Sequence, residues 1–440
     1  MSGLDTPSPS GSDYSTPGSD SSTTGSDYST TGSDYSTTGS DSSPSGSDYS
    51  TTGRVSGFPG FANCHSHVFH RALRGREAGG ATFWDWRSRM YAVAGVLDPD
   101  LLHDLAVATY AEMRLAGIGV VGEFHYLHHG PDGTPYDDPN ATGEALIAAA
   151  REVGLRICLL DTCYLAAGFG VSTGSTSASL SGVQRRFSDG DAETWAQRVH
   201  DLAARHAGAD DVVVGAAIHS VRAVPPDQLA TVARALPDAP LHVHVSEQPQ
   251  ENADCLAATG RTPVALLADA GAWTPRTTAV HATHLTDADI TALGDATAYA
   301  CFCPTTEAEL ADGVGPSARL RDAGARLTLG SDSNTVIDLF AEARAVEMHE
   351  RLVSGRRGTW RAEELTEAAT RTGYASLGFD PGLADTDAST LRDSVRLAGT
   401  TEPLWAATAA DVEPPKDLPY DAPEVAERLR RAVDAVWERR

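Results

Sequence analysis

The chain has 440 residues, 41% of them hydrophobic, with 60 acidic against 34 basic side chains and a formal net charge of −26. That balance argues against a nucleic-acid partner, which needs clustered cations, and no run of about 18 apolar residues offers a membrane-spanning helix. The six cysteines (Cys64, Cys158, Cys163, Cys255, Cys301, Cys303) lie in or beside apolar runs without the spacing of a small disulfide-bonded domain, so reduced thiols and a cytoplasmic location are expected.

Residues 1–53 read as a separate segment. Gly11 to Gly53 repeats a seven-residue unit, GSDYSTT with variants such as GSDYSTP and GSDSSPS, and holds no aliphatic side chain. A heptad coiled coil needs apolar a and d positions, so this period denotes low complexity and the segment is expected to be a disordered tail. It carries seven aspartates and no Lys or Arg, which leaves −19 of the −26 for the remainder. Its start, MSGLDTPSPSGS, lacks the cationic and apolar stretches of a secretory leader, so secretion is not expected.

From Phe61 onward, short β-rich runs alternate with longer Ala- and Leu-rich helical stretches. Strands are predicted at 61–67, 117–126, 155–164, 212–220, 241–247, 277–284, 296–304 and 325–332. Helical patterns such as DPDLLHDLAVATYAEMRLAG and ETWAQRVHDLAARHAG separate them. Such alternation requires right-handed crossovers and a parallel sheet buried on both faces, and eight units favour a closed (β/α)8 TIM barrel, expected over residues 54–380. Beyond it, Val425, Leu429, Val433 and Val436 form one face of a final helix, with Asp421 and Glu424 spaced for a capping box.

The polar residues fall at the C-terminal ends of these strands: His65 and His67 on the first, Glu123 on the second, His219 on the fourth, His244 and Glu247 on the fifth, His281 on the sixth and Asp332 on the eighth. A barrel gathers these ends around one mouth. His65 and His67, two residues apart on a strand, project to the same face, as a metal clamp requires. With His244 and Asp332 they make an N3O donor set for a hydrolytic zinc site; His242, one layer deeper, is the alternative donor and reads better as a core histidine. Glu247, three residues past His244, is placed to carry protons, or else to cap the following helix. His281 reads as a further ligand or as a group that polarises the substrate, and Asp332 as a ligand and proton acceptor or as a helix N-cap. There is no G-x-S-x-G and no P-loop, and Cys301 and Cys303 are too isolated to read as a thiolate metal site.

The motifs NCHSHVFHRALRG, TFWDWRSRMY, GEFHYLHH, GAAIHSVRAV, HVHVSEQ, VHATHL, CFCPTTEAELADG and LGSDSN, in this order over Gly57 to Gly378, resemble the amidohydrolase superfamily and, within it, the N-formimidoyl-L-glutamate deiminases of histidine degradation. The resemblance implies one zinc ion on His65, His67, His244 and Asp332, with Glu247 as proton shuttle and His281 as transition-state stabiliser. It implies that Arg87, Tyr126, His219 and Arg222 hold the glutamate half of the substrate, a contact to which His70, standing where relatives carry glutamine, would belong. The implied reaction is hydrolysis of the formimino carbon to N-formyl-L-glutamate and ammonia. Relatives also carry an accessory β-sandwich, which this chain is expected to have reduced or lost, leaving a remnant and the final helix over 381–440. The expected partner is a small molecule with two carboxylates, and a homodimer stays open. Two rivals remain: a deaminase of another amidine, guanidine or ring substrate, and a truncated barrel with a binding or structural role.

Overall fold

The computed structural model describes residues 57–76, 83–170, 177–180, 182–392 and 402–440. The expected repeat tail lies outside these residues. Eight strands follow one another in sequence order: β1 (Phe61–Ser66), β2 (Ile118–His125), β3 (Arg156–Cys163), β4 (Val212–Ile218), β5 (Leu241–Val245), β6 (Thr277–His281), β7 (Tyr299–Phe302) and β8 (Arg326–Leu329). Every neighbouring pair is parallel, with registers such as Val121 to Ile157, Ala217 to His242 and Val280 to Cys301. The last strand returns to the first. Ser66 bridges Asp332, the Asp332 N–H donates to the His65 carbonyl at 2.9 Å, and the His67 N–H donates to the Asp332 carbonyl at 2.9 Å. Gly330 permits this approach, since a Cβ there would sit 2.7 Å from the His65 Cβ. The result is the expected α/β barrel, buried on both strand faces because helices cover its outside.

The crossover segments include α1 (Phe83–Ala94), α2 (Pro99–Leu115), α3 (Ala141–Glu152), α4 (Ala192–Arg205), α5 (Leu229–Ala235) and α6 (Pro249–Thr259). Their starts follow from local chemistry. Asp98 precedes Pro99 and accepts the Leu101 N–H at 2.9 Å, and Asp191 accepts that of Thr194 at 2.7 Å. Each such cap contributes about 1 kcal/mol.

Most observed strands are shorter than the predicted ones at the mouth. The chain leaves β5 through Ser246 (φ 54°), β6 through His281 and Ala282 (φ 66° and 47°), and the β8 end through Asp332 (φ 44°). A left-handed backbone breaks the ladder and turns the polar residues inward, a strain that persists only where surrounding contacts fix it. Thus Glu247, His219 and Asp332 stand on the loops just past the strands.

Among the described residues no second sheet accompanies the barrel. Outside the barrel two isolated antiparallel bridges pair Phe58 with Ser389 and Leu391 with Val412. The final helix, Ala422–Glu438, has the expected capping box: the Glu424 N–H donates to Asp421 at 2.9 Å and the Asp421 N–H to Glu424 at 3.0 Å. Its apolar face packs on α2, burying Val425 and Val436, and the Trp437 indole donates to the Ala72 carbonyl at 2.8 Å.

Between β2, β3 and α4 lies a buried polar cluster. The Arg198 fork reaches Asp161 at 2.7 and 2.8 Å and Asp189 at 2.9 and 3.0 Å. His129 sits 3.1 Å from Asp189, His128 meets the Thr162 carbonyl at 2.9 Å and His125 meets Thr142 at 3.2 Å. Burial, with the neighbouring cations, pushes the His125 imidazole down to about 3 and that of His128 down to about 4. Both sit below the ordinary value near 6.5, so the unfolded chain takes up these protons first and stability falls as pH drops from 6.5 towards 4. Each histidine contributes roughly 1.4 kcal/mol per pH unit inside that window. The urea midpoint is therefore expected to be lower at pH 5 than at pH 7, with a shallower pH slope in His125→Gln; equal midpoints at the two pH values would contradict this.

Candidate active site

The mouth histidines are held by backbone acceptors. His67 Nδ1 lies 2.9 Å from the Phe124 carbonyl and His244 Nδ1 lies 3.0 Å from the His219 carbonyl. A carbonyl only accepts, so each Nδ1 carries the proton and each Nε2 presents a lone pair. These lone pairs converge: His244 Nε2 is 3.0 Å from His65 Nε2 and 3.3 Å from His67 Nε2. Asp332 Oδ1 stands 3.5 Å from both His65 and His67 Nε2. Facing lone pairs repel unless a cation sits among them. The separations suit a divalent ion, since four ligands at about 2.0–2.1 Å in a tetrahedron lie about 3.3 Å apart. Burial and the adjacent imidazoles also hold His65, His67 and His244 well below the usual histidine value, hence neutral, as ligands must be.

His242 lies one layer deeper in the barrel and belongs to none of the groups whose donor atoms converge. Burial pushes it down to about 3, so it is a neutral core histidine. Asp332 caps no helix; the next one, Leu339–Ser354, is capped by Asp338, which accepts the Ala341 N–H at 3.1 Å. Glu247 likewise caps nothing: Gln248 precedes α6, and the Glu247 carboxylate lines the cavity.

His281 faces this cluster from β6. Its Nε2 is 3.9 Å from Glu247 Oε1 and 3.9 Å from Asp332 Oδ2, while its Nδ1 is 3.3 Å from Glu307 Oε1. Burial opposes its charge, but Glu247, Glu307 and Asp332 together outweigh that and raise it well above the usual value. Glu307 was not foreseen. Four residues past Cys303, it also accepts the Cys303 N–H at 2.9 Å and so fixes the start of its helix and the His281 ring together. Glu123, expected among the mouth acids, instead accepts from the Ser66 hydroxyl at 2.8 Å and the Val68 N–H at 2.7 Å, holding the turn that follows His67.

A cavity of about 230 Å³ opens over these groups. His70, Arg87, Tyr126, His219 and Arg222 all line it, together with Glu247, His281 and Asp332. Tyr126 and His70 meet at 3.2 Å, and the Arg87 guanidinium lies 5.7 Å from the Tyr91 ring centre. Burial and the nearby Arg222 and Arg87 charges keep His219 neutral. Sequence reading missed Gln184, which donates to the Tyr91 hydroxyl at 3.2 Å and the Tyr164 hydroxyl at 3.1 Å and so arranges two phenols on the wall. It also missed Glu251, a buried acid beside Arg222. A glutamate one helical turn after Glu247 was the available signal.

The amidohydrolase family model matches residues 58–383. Formimidoylglutamate deiminase of Pseudomonas aeruginosa is 37% identical over 332 residues, covering 73% of this chain and 72% of that protein. An amidohydrolase from Brucella melitensis superposes with a TM-score of 0.76 at 31% identity, over 86% of this chain and 89% of that one. An adenosine deaminase from Xanthomonas campestris with bound zinc, 23% identical, shares the fold with a TM-score of 0.71, over 86% of this chain and 85% of that one. Among the described residues no helix is long and apolar enough to cross a membrane. A barrel that carries its acids and imidazoles on one rim, and matches along most of its length, leaves one assignment: the chain belongs to the amidohydrolase family, in the company of formimidoylglutamate deiminase, and is a hydrolase of C–N bonds.

Proposed function

We propose that the chain hydrolyses N-formimino-L-glutamate to N-formyl-L-glutamate and ammonia, a step of histidine degradation, with one zinc ion on His65, His67, His244 and Asp332. The observation that carries this reading is the shared cavity: the guanidinium-bearing Arg87 and Arg222 line the same small space as the convergent imidazoles. A dianionic substrate entering an acidic protein needs local cations, and Arg offers each carboxylate a two-pronged contact. At about 230 Å³ the cavity is smaller than the roughly 300–1,000 Å³ of drug-sized sites, which suits an amino-acid derivative. The relative from Pseudomonas aeruginosa bears the name of this activity.

When bound, the ion supplies Lewis acidity that makes water a nucleophile near neutral pH. Arg87, Arg222, Tyr126, His219 and His70 orient the glutamate half so that the formimino carbon lies over the imidazole cluster. Asp332 accepts the proton of the attacking water, and Glu247 delivers a proton to the departing nitrogen. His281, held by Glu307, stabilises the charge that develops as the C=N bond opens. The amidine carbon gains one oxygen and loses ammonia. Purified zinc-loaded protein is expected to release ammonia from N-formimino-L-glutamate stoichiometrically with N-formyl-L-glutamate. Release only from other amidines, guanidines or ring amines would support the rival deaminase reading instead, and a folded, metal-loaded chain that turns over none of them would point to the non-catalytic barrel.

A further inference from the structure

Arg222 faces two carboxylates and is saturated by neither. Its Nη2 lies 3.7 Å from Glu247 Oε2 and its Nε lies 3.7 Å from Glu251 Oε2. Among the described residues, the Arg222 Nε has no hydrogen-bond partner, while the Ser246 and Glu247 backbone faces the Glu251 carboxylate. Arg198, by contrast, spends its donors on two aspartates at 2.7–3.0 Å. A partly buried guanidinium whose Nε–H is shut off from water and unspent is a costly arrangement unless an acceptor arrives. The open side of Arg222 is the cavity wall. Glu251 is buried and does not line the cavity, whereas Glu247 does, so the partner that Arg222 can exchange for an incoming carboxylate is Glu247.

Glu247 is divided in the same way. One oxygen lies 3.7 Å from Arg222 and the other 3.9 Å from His281 Nε2. A carboxylate arriving at Arg222 competes for the cation and repels Glu247, and both effects move Glu247 towards His281 and the imidazole cluster. We propose that Arg222 is a specificity-determining residue in a second sense: it holds Glu247 aside until a substrate carboxylate takes over the guanidinium, so that the proton carrier is released only beneath a carboxylate-bearing amidine. This rests on the reading of Glu247 as proton carrier given above. It adds that discrimination against amidines without a carboxylate is exerted in kcat as well as in KM.

Arg222→Met separates the two effects. With N-formimino-L-glutamate the variant is expected to raise KM by about ten- to a hundredfold, the worth of a charge-assisted contact, with kcat retained. With a simple N-alkylformamidine lacking a carboxylate, the same variant is expected to raise kcat several-fold over the unsubstituted enzyme, because Glu247 is no longer held. A kcat for the formamidine that is unchanged or lower overturns the proposal. If the unsubstituted enzyme ignores N-formimino-L-glutamate but turns over the formamidine, the substrate reading fails while the Arg222 comparison still decides. A crystal structure of the unsubstituted, zinc-loaded protein soaked with glutarate decides independently of turnover. A glutarate carboxylate within about 3 Å of the Arg222 nitrogens, with Glu247 withdrawn from them, supports the exchange; Glu247 still against Arg222 with glutarate bound, or glutarate bound with both carboxylates away from Arg222, overturns it.

Discussion

Replacing Glu247 with glutamine is expected to leave one zinc per chain while lowering kcat by roughly 10²–10⁴-fold, the usual worth of a positioned acid–base group. The two carboxylates of the mouth stand in different places. Asp332 Oδ1 lies 3.5 Å from the Nε2 atoms of His65 and His67, whereas Glu247 lies 3.9 Å from His281 and 3.7 Å from Arg222, outside the converging donors. Glutamine keeps the shape of Glu247 and leaves the imidazole lone pairs untouched, so metal content should not change. It cannot exchange a proton with the departing nitrogen. Metal analysis on the same preparation used for kinetics makes the comparison direct, and full activity in Glu247→Gln would remove Glu247 from proton transfer.

The barrel was legible because its strands are buried on both faces and so stand out as continuous apolar runs between amphipathic helices. The rim was legible for a related reason. In an apolar strand, a histidine or acid at the C-terminal end, as in NCHSH or HVHVSE, has few explanations other than a mouth. What the sequence does not encode locally is the partner of each group. The carbonyls of Phe124 and His219 fix the His67 and His244 tautomers, yet any residue supplies a carbonyl. The Glu307 contact to His281 and the Glu251 contact to Arg222 depend on how separate loops meet. Glu123 shows the converse: its position at a strand end suggested the site, while its bonds to Ser66 and Val68 spend both its oxygens on the turn that follows β1. Strand ends were overestimated at Ser246, His281 and Asp332 because a left-handed residue other than glycine leaves no mark in composition.

Replacing His244 with alanine is expected to have the larger effect, removing the metal and activity together. His244 Nε2 is the atom close to both other imidazoles, at 3.0 and 3.3 Å, and its ring is already aimed by the His219 carbonyl. Loss of a hydrogen bond behind a ligand costs roughly 10–100-fold in metal affinity, so loss of the ligand itself costs more. Zinc per chain after desalting should fall from one towards zero. Zinc should also raise the melting temperature of the unsubstituted chain, because a ligand that binds only the folded state stabilises it by about 4 kcal/mol at a thousandfold excess over Kd. That rise should vanish in His244→Ala. The same substitution at His242, one layer deeper and outside every converging group, should keep both the metal and the zinc-dependent rise. A His244→Ala chain that retains a full equivalent of zinc would show that the three imidazoles and Asp332 do not form one metal site.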